Sequence, residues 1–279
     1  MIMLSNKIDF AIIIGVKNAN PNGDPLNGNR PRVNYDGLGE ISDVCLKRKI
    51  RNRLLDDGAK ILVQSDDYRN DQYRSIKDRY GSNENVAALG KKASSDDVAE
   101  AACKEWFDVR AFGQVLAFKG KNDKEAGVSI AIRGPVSIQS AFSIEPVDVE
   151  SLQITKSVNL ETNEKNPSKK MGDTIGQKHR VSKGVYVTYG SINRQLAEKT
   201  GFSDEDAELL KWAILKMFEN DESSARPSGS MEVLKVIWWT HTDEVISSAK
   251  VHRSLKVNRD GTYILTALDG LKVEELDGQ

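Results

Sequence analysis

The chain has 279 residues, of which 39% are hydrophobic and 29% are charged, and its formal net charge is -1. This composition is typical of a folded globular protein and excludes a mainly disordered or fibrous chain. No apolar run approaches the roughly 20 residues of a membrane-spanning helix, and the two cysteines, Cys45 and Cys103, give neither a disulfide framework nor a zinc-binding spacing. We therefore expect a cytoplasmic protein with reduced thiols, no membrane contact, no cofactor and no metal.

The chain opens with a strand and a long loop. Residues 8–17 (IDFAIIIGVK) are apolar on both faces, which predicts a central strand of a sheet. Residues 18–39 concentrate Asn, Gly, Pro and Asp, which favour turns and local hydrogen bonds. Loops of this length inside a compact domain are usually functional, so we expect this loop to contribute to a binding site.

A basic helix is predicted after the loop. Ser42 can cap a helix that extends to about Leu55, because apolar residues recur at four-residue spacing behind it. The cations of this segment are Lys47, Arg48, Lys49, Arg51 and Arg53, against the single acid Asp43. Backbone amides of the loop and the helix N-terminus can bind phosphate, and Lys47 and Arg51 share one helix face. From these residues alone, an ordinary solvated basic helix is an equal alternative.

The middle of the chain combines an insertion, two strands and an arm. Residues 60–105 are largely polar and contain a predicted helix at about 96–106. Residues 128–144 alternate in polarity around Gly134 and Pro135, which predicts a strand, a bend and a second strand. Residues 151–183 are basic and polar, which is typical of a protruding arm.

The last third returns to regular structure. Residues 185–192 and 233–240 predict strands, and 263–268 predicts a strand at the sheet edge. Ser203 and Asp206 form a capping-box pattern that starts a helix through about Phe218, whose acidic face we expect to lie away from a bound polyanion. The order strand, helix, strands, helix, strand is the ferredoxin-like or RRM-like pattern of the α+β class.

Other motifs point less clearly to a function. The glycines of residues 172–180 (GDTIGQKHR) lack the Lys-Ser/Thr pair of a nucleotide-binding phosphate loop. The three histidines, His179, His241 and His252, do not stand at metal-ligand spacing, so we expect structural or surface roles for them. Asp24, between Gly and Pro, is a candidate catalytic carboxylate, although this position is typical of a turn residue.

Several segments together resemble a known family. They are the opening strand, NPNGDPLNGNRPR and EISDVCLKRKIRNRL after it, WFDVRAFG, GPVSIQSAFSI, KKMGDTIGQKHR and VIWWTHTDE. This set is similar to the repeating backbone subunit of type I Cascade complexes, the Cas-seven family of the RAMP superfamily, and is most like its type I-C branch. The first loop and helix are the most specific part of the resemblance.

The resemblance implies a hand-shaped protein. An RRM-like (ferredoxin-like) palm would comprise residues 1–59, 106–150 and 184–279, with an inserted fingers region at 60–105 and a protruding thumb loop at 151–183. The implied function is non-catalytic. The subunit would bind CRISPR guide RNA, stack head to tail with copies of itself, join the cap, large and small Cascade subunits, and present the guide to target DNA in antiviral defence.

The RNA-binding residues that the resemblance implies are Asn20, Asn22, Arg30, Ser42, Lys47, Arg51, Gln139, Lys169, Lys170, Met171, His179 and Arg180. Met171 would lie near the tip of the thumb, where a pliant apolar side chain can wedge between bases. Two alternatives stay open. One is a metal-dependent ribonuclease of the same superfamily that uses Asp24, and the other is a small-molecule enzyme that binds a phosphate with its Asn/Gly loop.

Overall fold

The computed structural model describes residues 3–89, 93–118, 128–155, 175–242 and 246–278. Its strands are β1 (Ile8–Ala19), β2 (Gly23–Asp24), β3 (Arg30–Pro31), β4 (Leu38–Ile41), β5 (Gly113–Phe118), β6 (Val128–Arg133), β7 (Val136–Ile138), β8 (Ala141–Pro146), β9 (Val149–Thr155), β10 (Ile175–Ile192), β11 (Met231–His241), β12 (Leu255–Val257), β13 (Tyr263–Leu265) and β14 (Leu271–Asp277). Its helices are α1 (Asp43–Asp56), α2 (Ile76–Gly81), α3 (Glu84–Ala87), α4 (Ser95–Glu105), α5 (Phe107–Phe112), α6 (Arg194–Thr200), α7 (Asp204–Leu215) and α8 (Ser248–Arg253), with a short 3-10 helix at Pro25–Asn27.

A large antiparallel sheet forms the centre of the molecule. Its strand order is β14-β11-β1-β10-β8-β4, and β7 and β9 pair with other parts of β10. The predicted central strand is confirmed, since β1 lies between β10 and β11. Its isoleucines are buried on both faces because helices cover one side of the sheet and α8 with a hairpin covers the other.

Helices α1 and α7 cover one face of this sheet. Phe10 and Ile12 of β1 pack in one apolar cluster with Leu46 and Ile50 of α1 and Leu210 of α7. These positions explain why apolar residues recur at helical spacing in both segments. Both helices are therefore confirmed, although α7 ends at Leu215 rather than near Phe218.

The predicted caps of the two helices are also present. The Ser42 hydroxyl accepts a hydrogen bond from the Cys45 amide at the start of α1. At the start of α7, the Ser203 hydroxyl accepts from the Asp206 amide, and the Asp206 carboxylate accepts from the Ser203 amide. Each cap satisfies amide groups that the first helical turn leaves without a partner.

The opposite face of the sheet is covered by α8 and the β12–β13 hairpin. Val251 and Leu255 pack there against Ala11, Ile237 and Trp239. The expected edge strand at 263–268 was wrong: Tyr263–Leu265 pairs with β12 outside the main sheet, and β14 forms the edge next to β11. The sequence did not indicate β14 because its LKVEELD segment is rich in charge, which hides the alternation of a strand.

The insertion has an apolar cluster of its own. Leu62, Trp106 and Leu116 are buried together with residues of α4 and of the β5–β6 hairpin, and the Tyr80 and Trp106 rings stack at 5.9 Å. The helix predicted at 96–106 is confirmed as α4. The region predicted as strand, bend and strand forms β6, β7 and β8, with the first break at Gly134 and Pro135 as expected.

The predicted arm begins and ends in regular structure. Strand β9 pairs with the first part of β10 from Ile175↔Thr155 to Val181↔Val149, so the strand predicted at 185–192 begins ten residues earlier, at Ile175. Residues 156–174, the central part of the arm, lie outside the described residues. In the described ranges, no helix is long and apolar enough to cross a bilayer.

Candidate nucleic-acid interface

Asparagine side chains hold the first loop in shape. The Asn20 amide nitrogen donates to the Asn29 carbonyl at 2.7 Å, while the Asn22 side-chain oxygen accepts from both the amide and the hydroxyl of Ser42 at 2.9 Å. The predicted structured loop is therefore confirmed, and Asn22 and Ser42 join it to the start of α1. The buried side-chain oxygen of Asn20 has no hydrogen-bond partner among the described residues.

Asp24 acts within the loop as a turn residue. Its carboxylate accepts a hydrogen bond from the Leu26 amide at 3.2 Å, capping the 3-10 helix, and lies 3.5 Å from the Arg32 guanidinium. Within the described ranges, no three His, Cys, Asp or Glu side chains are grouped so that they could hold a metal ion. These contacts fix Asp24 by local structure.

Two apolar side chains at the loop surface were not singled out from the sequence. Leu26 and Tyr35 are fully exposed. The turn that presents Tyr35 is held by Asn34, whose side chain accepts from the amides of Asp36 and Leu38, and by Gly37, whose φ of 77° favours glycine. The sequence feature that could have indicated Tyr35 is an aromatic residue inside a turn-forming Asn-Tyr-Asp-Gly segment, because turn residues lie at the surface.

The loop contacts the base of the β9–β10 hairpin. Arg30 donates to the Ser151 hydroxyl at 2.9 Å and lies 3.4 Å from Nδ1 of His179, which in turn lies 2.9 Å from the same hydroxyl. Two residues predicted for one site, Arg30 and His179, are thus brought together across 149 positions of sequence. Among the described residues no carboxylate forms an ion pair with Arg30, whereas Arg180, next to His179, is paired with Glu150 at 2.8 Å.

The remaining predicted residues divide into two groups. Gln139 has an exposed side chain, and its backbone is fixed on β10 through the Tyr189 carbonyl and the Thr188 hydroxyl. Lys169, Lys170 and Met171 lie outside the described residues.

The cations of α1 are mostly neutralised within the protein. Four of the five are ion-paired, in the pairs Lys47–Asp43, Lys49–Asp221, Arg51–Asp108 and Arg53–Asp57. The fifth, Arg48, donates to the Val63 carbonyl at 3.0 Å. The sequence therefore indicated the basic character of this helix correctly, but not how many of its charges are available to a ligand.

Arg51 shows most clearly that a cation of α1 can be unavailable to a ligand. Its Nε lies 3.0 Å from Oδ2 of Asp108, whose side chain is fully buried, and its guanidinium stacks over the Phe112 ring at 5.0 Å. The Arg51 side chain is only 12% exposed, whereas Lys47 is 24% exposed and pairs with the surface residue Asp43. In the free protein, Arg51 is committed to an internal contact and Lys47 remains at the surface.

The acidic segment around α7 supplies much of this neutralisation. Glu219 pairs with Arg53, and Asp221 pairs with both Lys49 and Arg226. Burial lowers the pKa of Lys49, and the adjacent Asp221 carboxylate opposes that shift. Charges that are segregated along the chain are thus brought together by the packing of α7 beside α1.

A buried polar cluster lies on the opposite face of the sheet. Oδ2 of Asp9 is 2.7 Å from Nε2 of His241 and 3.0 Å from Nζ of Lys7, and Oδ1 is 3.5 Å from Nε2 of His252. Burial alone raises the pKa of Asp9, but the neighbouring polar side chains of His252, Ser248, His241 and Lys7 outweigh it and lower the pKa. His241 and His252 thus share one buried partner, Asp9, which the sequence could not predict because 232 positions separate Asp9 from His241.

Comparison with known proteins identifies relatives over most of the chain. A family model described as "CRISPR-associated protein Cas7" matches residues 6–273. A "CRISPR-associated protein Cas7" of Haloferax volcanii is 29% identical over 235 residues, which cover 80% of this chain and 67% of that relative.

Two solved structures are also similar. A chain of a "CRISPR RNA-guided surveillance complex, pre-nicking" has a TM-score of 0.46 and 15% identity, with 88% of this chain and 81% of that chain covered. A chain of a "CRISPR RNA-guided surveillance complex" has a TM-score of 0.44 and 20% identity, with coverage of 92% and 77%. Neither TM-score is high enough to establish a shared fold.

Proposed function

The chain belongs to the Cas7 family of CRISPR-associated proteins, and from that membership we propose that it is a guide-RNA-binding backbone subunit of a Cascade-type surveillance complex. The observation that carries the proposal is the family match over residues 6–273, which includes the first loop, the β9–β10 hairpin and the sheet between them. The finer assignment is to the type I-C branch, with head-to-tail stacking of copies, contacts to cap, large and small subunits, and presentation of the guide to target DNA.

The strand order supports an RRM-like palm. Strands β11-β1-β10-β8 are neighbours in the sheet, α1 follows β1 in the chain, and α7 precedes β11. A βαββαβ unit with two helices on one face of an antiparallel sheet has this arrangement. We assign the palm to residues 1–59, 106–150 and 184–279, the fingers to 60–105 and the thumb to 151–183.

The RNA backbone would run along the first loop and the base of the β9–β10 hairpin. Arg30 offers a charge that no described carboxylate pairs with, and Lys47 can exchange its half-buried partner Asp43 for a phosphate. The exposed Tyr35 ring is suited to stack on a base, and such stacking does not depend strongly on base identity. Asn20, Asn22, Ser42, Gln139, His179 and Arg180 would shape or line this groove.

Two residues need a specific assignment within this proposal. Arg51 would act through its pair with Asp108, which positions α1 against the insertion, rather than by gripping a phosphate in the free state. Lys169, Lys170 and Met171 would reach the RNA from the thumb. Contacts of this kind hold the backbone while base pairing supplies specificity, as a guide carrier requires.

We propose that this role is non-catalytic. Asp24 is engaged by Leu26 and Arg32, which supports a structural function for its carboxylate in the turn. Incubation of single-stranded RNA with the protein and Mg²⁺ or Mn²⁺ tests this directly. We expect intact RNA, and cleavage that disappears in Asp24→Ala would establish the ribonuclease alternative instead.

The binding proposal is tested by the salt dependence of RNA affinity. We expect Arg30→Gln with Lys47→Gln to reduce the slope of log K against log salt by about 1.4, since each lost phosphate contact on a single strand contributes about 0.7. The matched control is Lys77→Gln with Lys199→Gln, which removes the same charge from exposed positions on α2 and α6. Equal slopes for the two double variants would contradict the assigned groove.

A further inference from the structure

The cations of one segment are less neutralised than those of α1. Residues 247–259 (SSAKVHRSLKVNR) contain no Asp or Glu, and their cations Lys250, Arg253, Lys256 and Arg259 are all exposed. Within the described ranges, no ion pair joins any of the four to a carboxylate. Only Arg259, the last of the four, has an acid next to it in the sequence, Asp260, with which it interacts electrostatically. We call these four residues, on α8 and β12 and the turn after β12, the α8–β12 strip.

The fold holds this strip on a rigid base. Val251 and Leu255 are buried against the sheet, and the His252 ring stacks on Tyr189 at 4.8 Å. Nε2 of His252 also lies 3.3 Å from the Gly190 carbonyl and 3.5 Å from Asp9. The inward residues alternate with the cations, so their burial fixes the cations on the solvent side.

The position of the strip separates it from α1. Helix α8 packs on the odd-numbered face of β1, with Ala11, whereas α1 packs on the even-numbered face, with Phe10 and Ile12. The His252–Asp9 contact thus fixes a second basic surface. It lies on the opposite side of the sheet from α1, the basic helix predicted from the sequence.

The chemistry of the strip favours a polyanion over a folded protein partner. Protein interfaces are depleted of lysine and centred on buried aromatic residues, whereas nucleic-acid interfaces are polar and strongly positive. Ile264, paired with Lys256 in the hairpin, is the one large apolar side chain next to the strip that is exposed in the described structure. A phosphodiester backbone would supply ion-pair partners for Lys250, Arg253 and Lys256, which have none among the described residues.

From these observations we propose that the α8–β12 strip binds the phosphodiester backbone of a nucleic-acid strand, in addition to the groove at the first loop. The inference rests on the proposed function, because it assigns a second contact surface to a protein that already carries RNA. The strand is either a further part of the same RNA or the DNA that pairs with it, and both offer the same phosphates.

The test compares two double variants of the full chain. Lys250→Gln with Lys256→Gln removes two charges from the strip, and Lys77→Gln with Lys199→Gln removes two exposed charges elsewhere. Affinities for one single-stranded RNA and one single-stranded DNA are measured by fluorescence anisotropy over a series of salt concentrations. Circular dichroism melts confirm that both variants fold as the parent protein does.

We expect the strip variant to bind roughly tenfold more weakly at low salt, with a slope reduced by about 1.4, while the control keeps the parent slope. Loss for RNA alone identifies the guide, loss for DNA alone identifies the target strand, and loss for both identifies a shared backbone site. Equal affinities of the strip variant and the control for both oligonucleotides would overturn the inference.

The same measurements separate this inference from the proposed function. If Arg30→Gln with Lys47→Gln weakens RNA binding and the strip variant does not, the first-loop groove stands and the strip is rejected. The opposite result rejects the groove and keeps the strip. Failure of the parent protein to bind either oligonucleotide rejects both.

Discussion

The buried pair of Arg51 and Asp108 gives a prediction that separates a structural from a ligand-binding role. Asp108 accepts from Nε of Arg51 at 3.0 Å, from the Leu62 amide at 2.8 Å and from the Val63 amide at 3.0 Å. Arg51→Met removes the charge and keeps comparable bulk, which leaves the carboxylate with two donors and no cation. The variant therefore tests what the cation contributes to the folded state.

Removal of one partner from a buried ion pair costs about 3–5 kcal/mol, and the two remaining amide donors place this case at about 3 kcal/mol. For a chain of this size, about 2 °C per kcal/mol corresponds to a fall in Tm of about 6 °C. Lys47→Met is the matched control one turn away on α1. It breaks a surface i,i+4 pair worth about 0.3–0.5 kcal/mol, so its Tm is expected to fall by about 1 °C.

Thermal and urea denaturation of the two variants, together with Asp108→Asn and the double variant, measure the coupling between the partners. We expect a coupling energy of at least about 1 kcal/mol, with RNA affinity of the folded Arg51→Met variant within about twofold of the parent. A Tm equal to that of the parent combined with a roughly tenfold loss of RNA affinity would refute the internal role.

Three further outcomes follow from buried groups. Asp9→Asn should lower the free energy of unfolding at pH 7 by about 3 kcal/mol. Because the folded-state pKa of Asp9 lies below its unfolded value of about 3.9, the difference in stability between parent and variant should narrow as pH falls below about 4. Urea denaturation at pH 5 and pH 3 measures this difference, and an equal difference at both pH values would contradict the lowered pKa of Asp9. Gly190→Ala should cost at least about 2 kcal/mol, since its Cβ would lie 2.2 Å from Phe10 Cζ, whereas Gly81→Ala meets no atom within 4 Å and should leave stability nearly unchanged. Burial raises the pKa of Cys103 to about 11, so its thiol should react with a disulfide reagent at pH 8 only after denaturation. Rapid labelling of Cys103 itself in the native protein, rather than of the half-buried Cys45, would show that Cys103 is exposed.

Much of the fold could be predicted because local patterns and final packing agree. The apolar IDFAIIIGVK segment became the central strand, Ser42 and Ser203 became helix caps, and Gly134 with Pro135 broke the strands where expected. At each of these positions the secondary structure is determined by residues a few positions away in the sequence, or by burial of apolar side chains. The β14 edge was missed because its pairing partner lies far along the chain and its own residues are mostly charged.

The candidate site was predictable in its residue types but not in its charge balance. Whether a lysine or arginine is available depends on carboxylates that only the fold brings near. Asp108 lies 57 positions from Arg51, and Asp221 lies 172 positions from Lys49. The α8–β12 strip was not predicted from the sequence, because four cations within ten residues do not indicate a binding surface until the fold shows that all four are exposed. The number of Lys and Arg residues in a segment therefore indicates a basic surface only when their ion pairs with Asp and Glu are known.

The central claim is that this chain holds RNA by its phosphate backbone without reading its sequence. The most direct measurement is the affinity of the parent protein for two single-stranded RNAs of equal length and unrelated sequence, determined over a range of salt concentrations. The account predicts equal affinities for the two RNAs. It also predicts that log K decreases linearly with log salt, with a slope of about -0.7 for each phosphate contact. Strong preference for one sequence, or an affinity that does not change with salt, would contradict it.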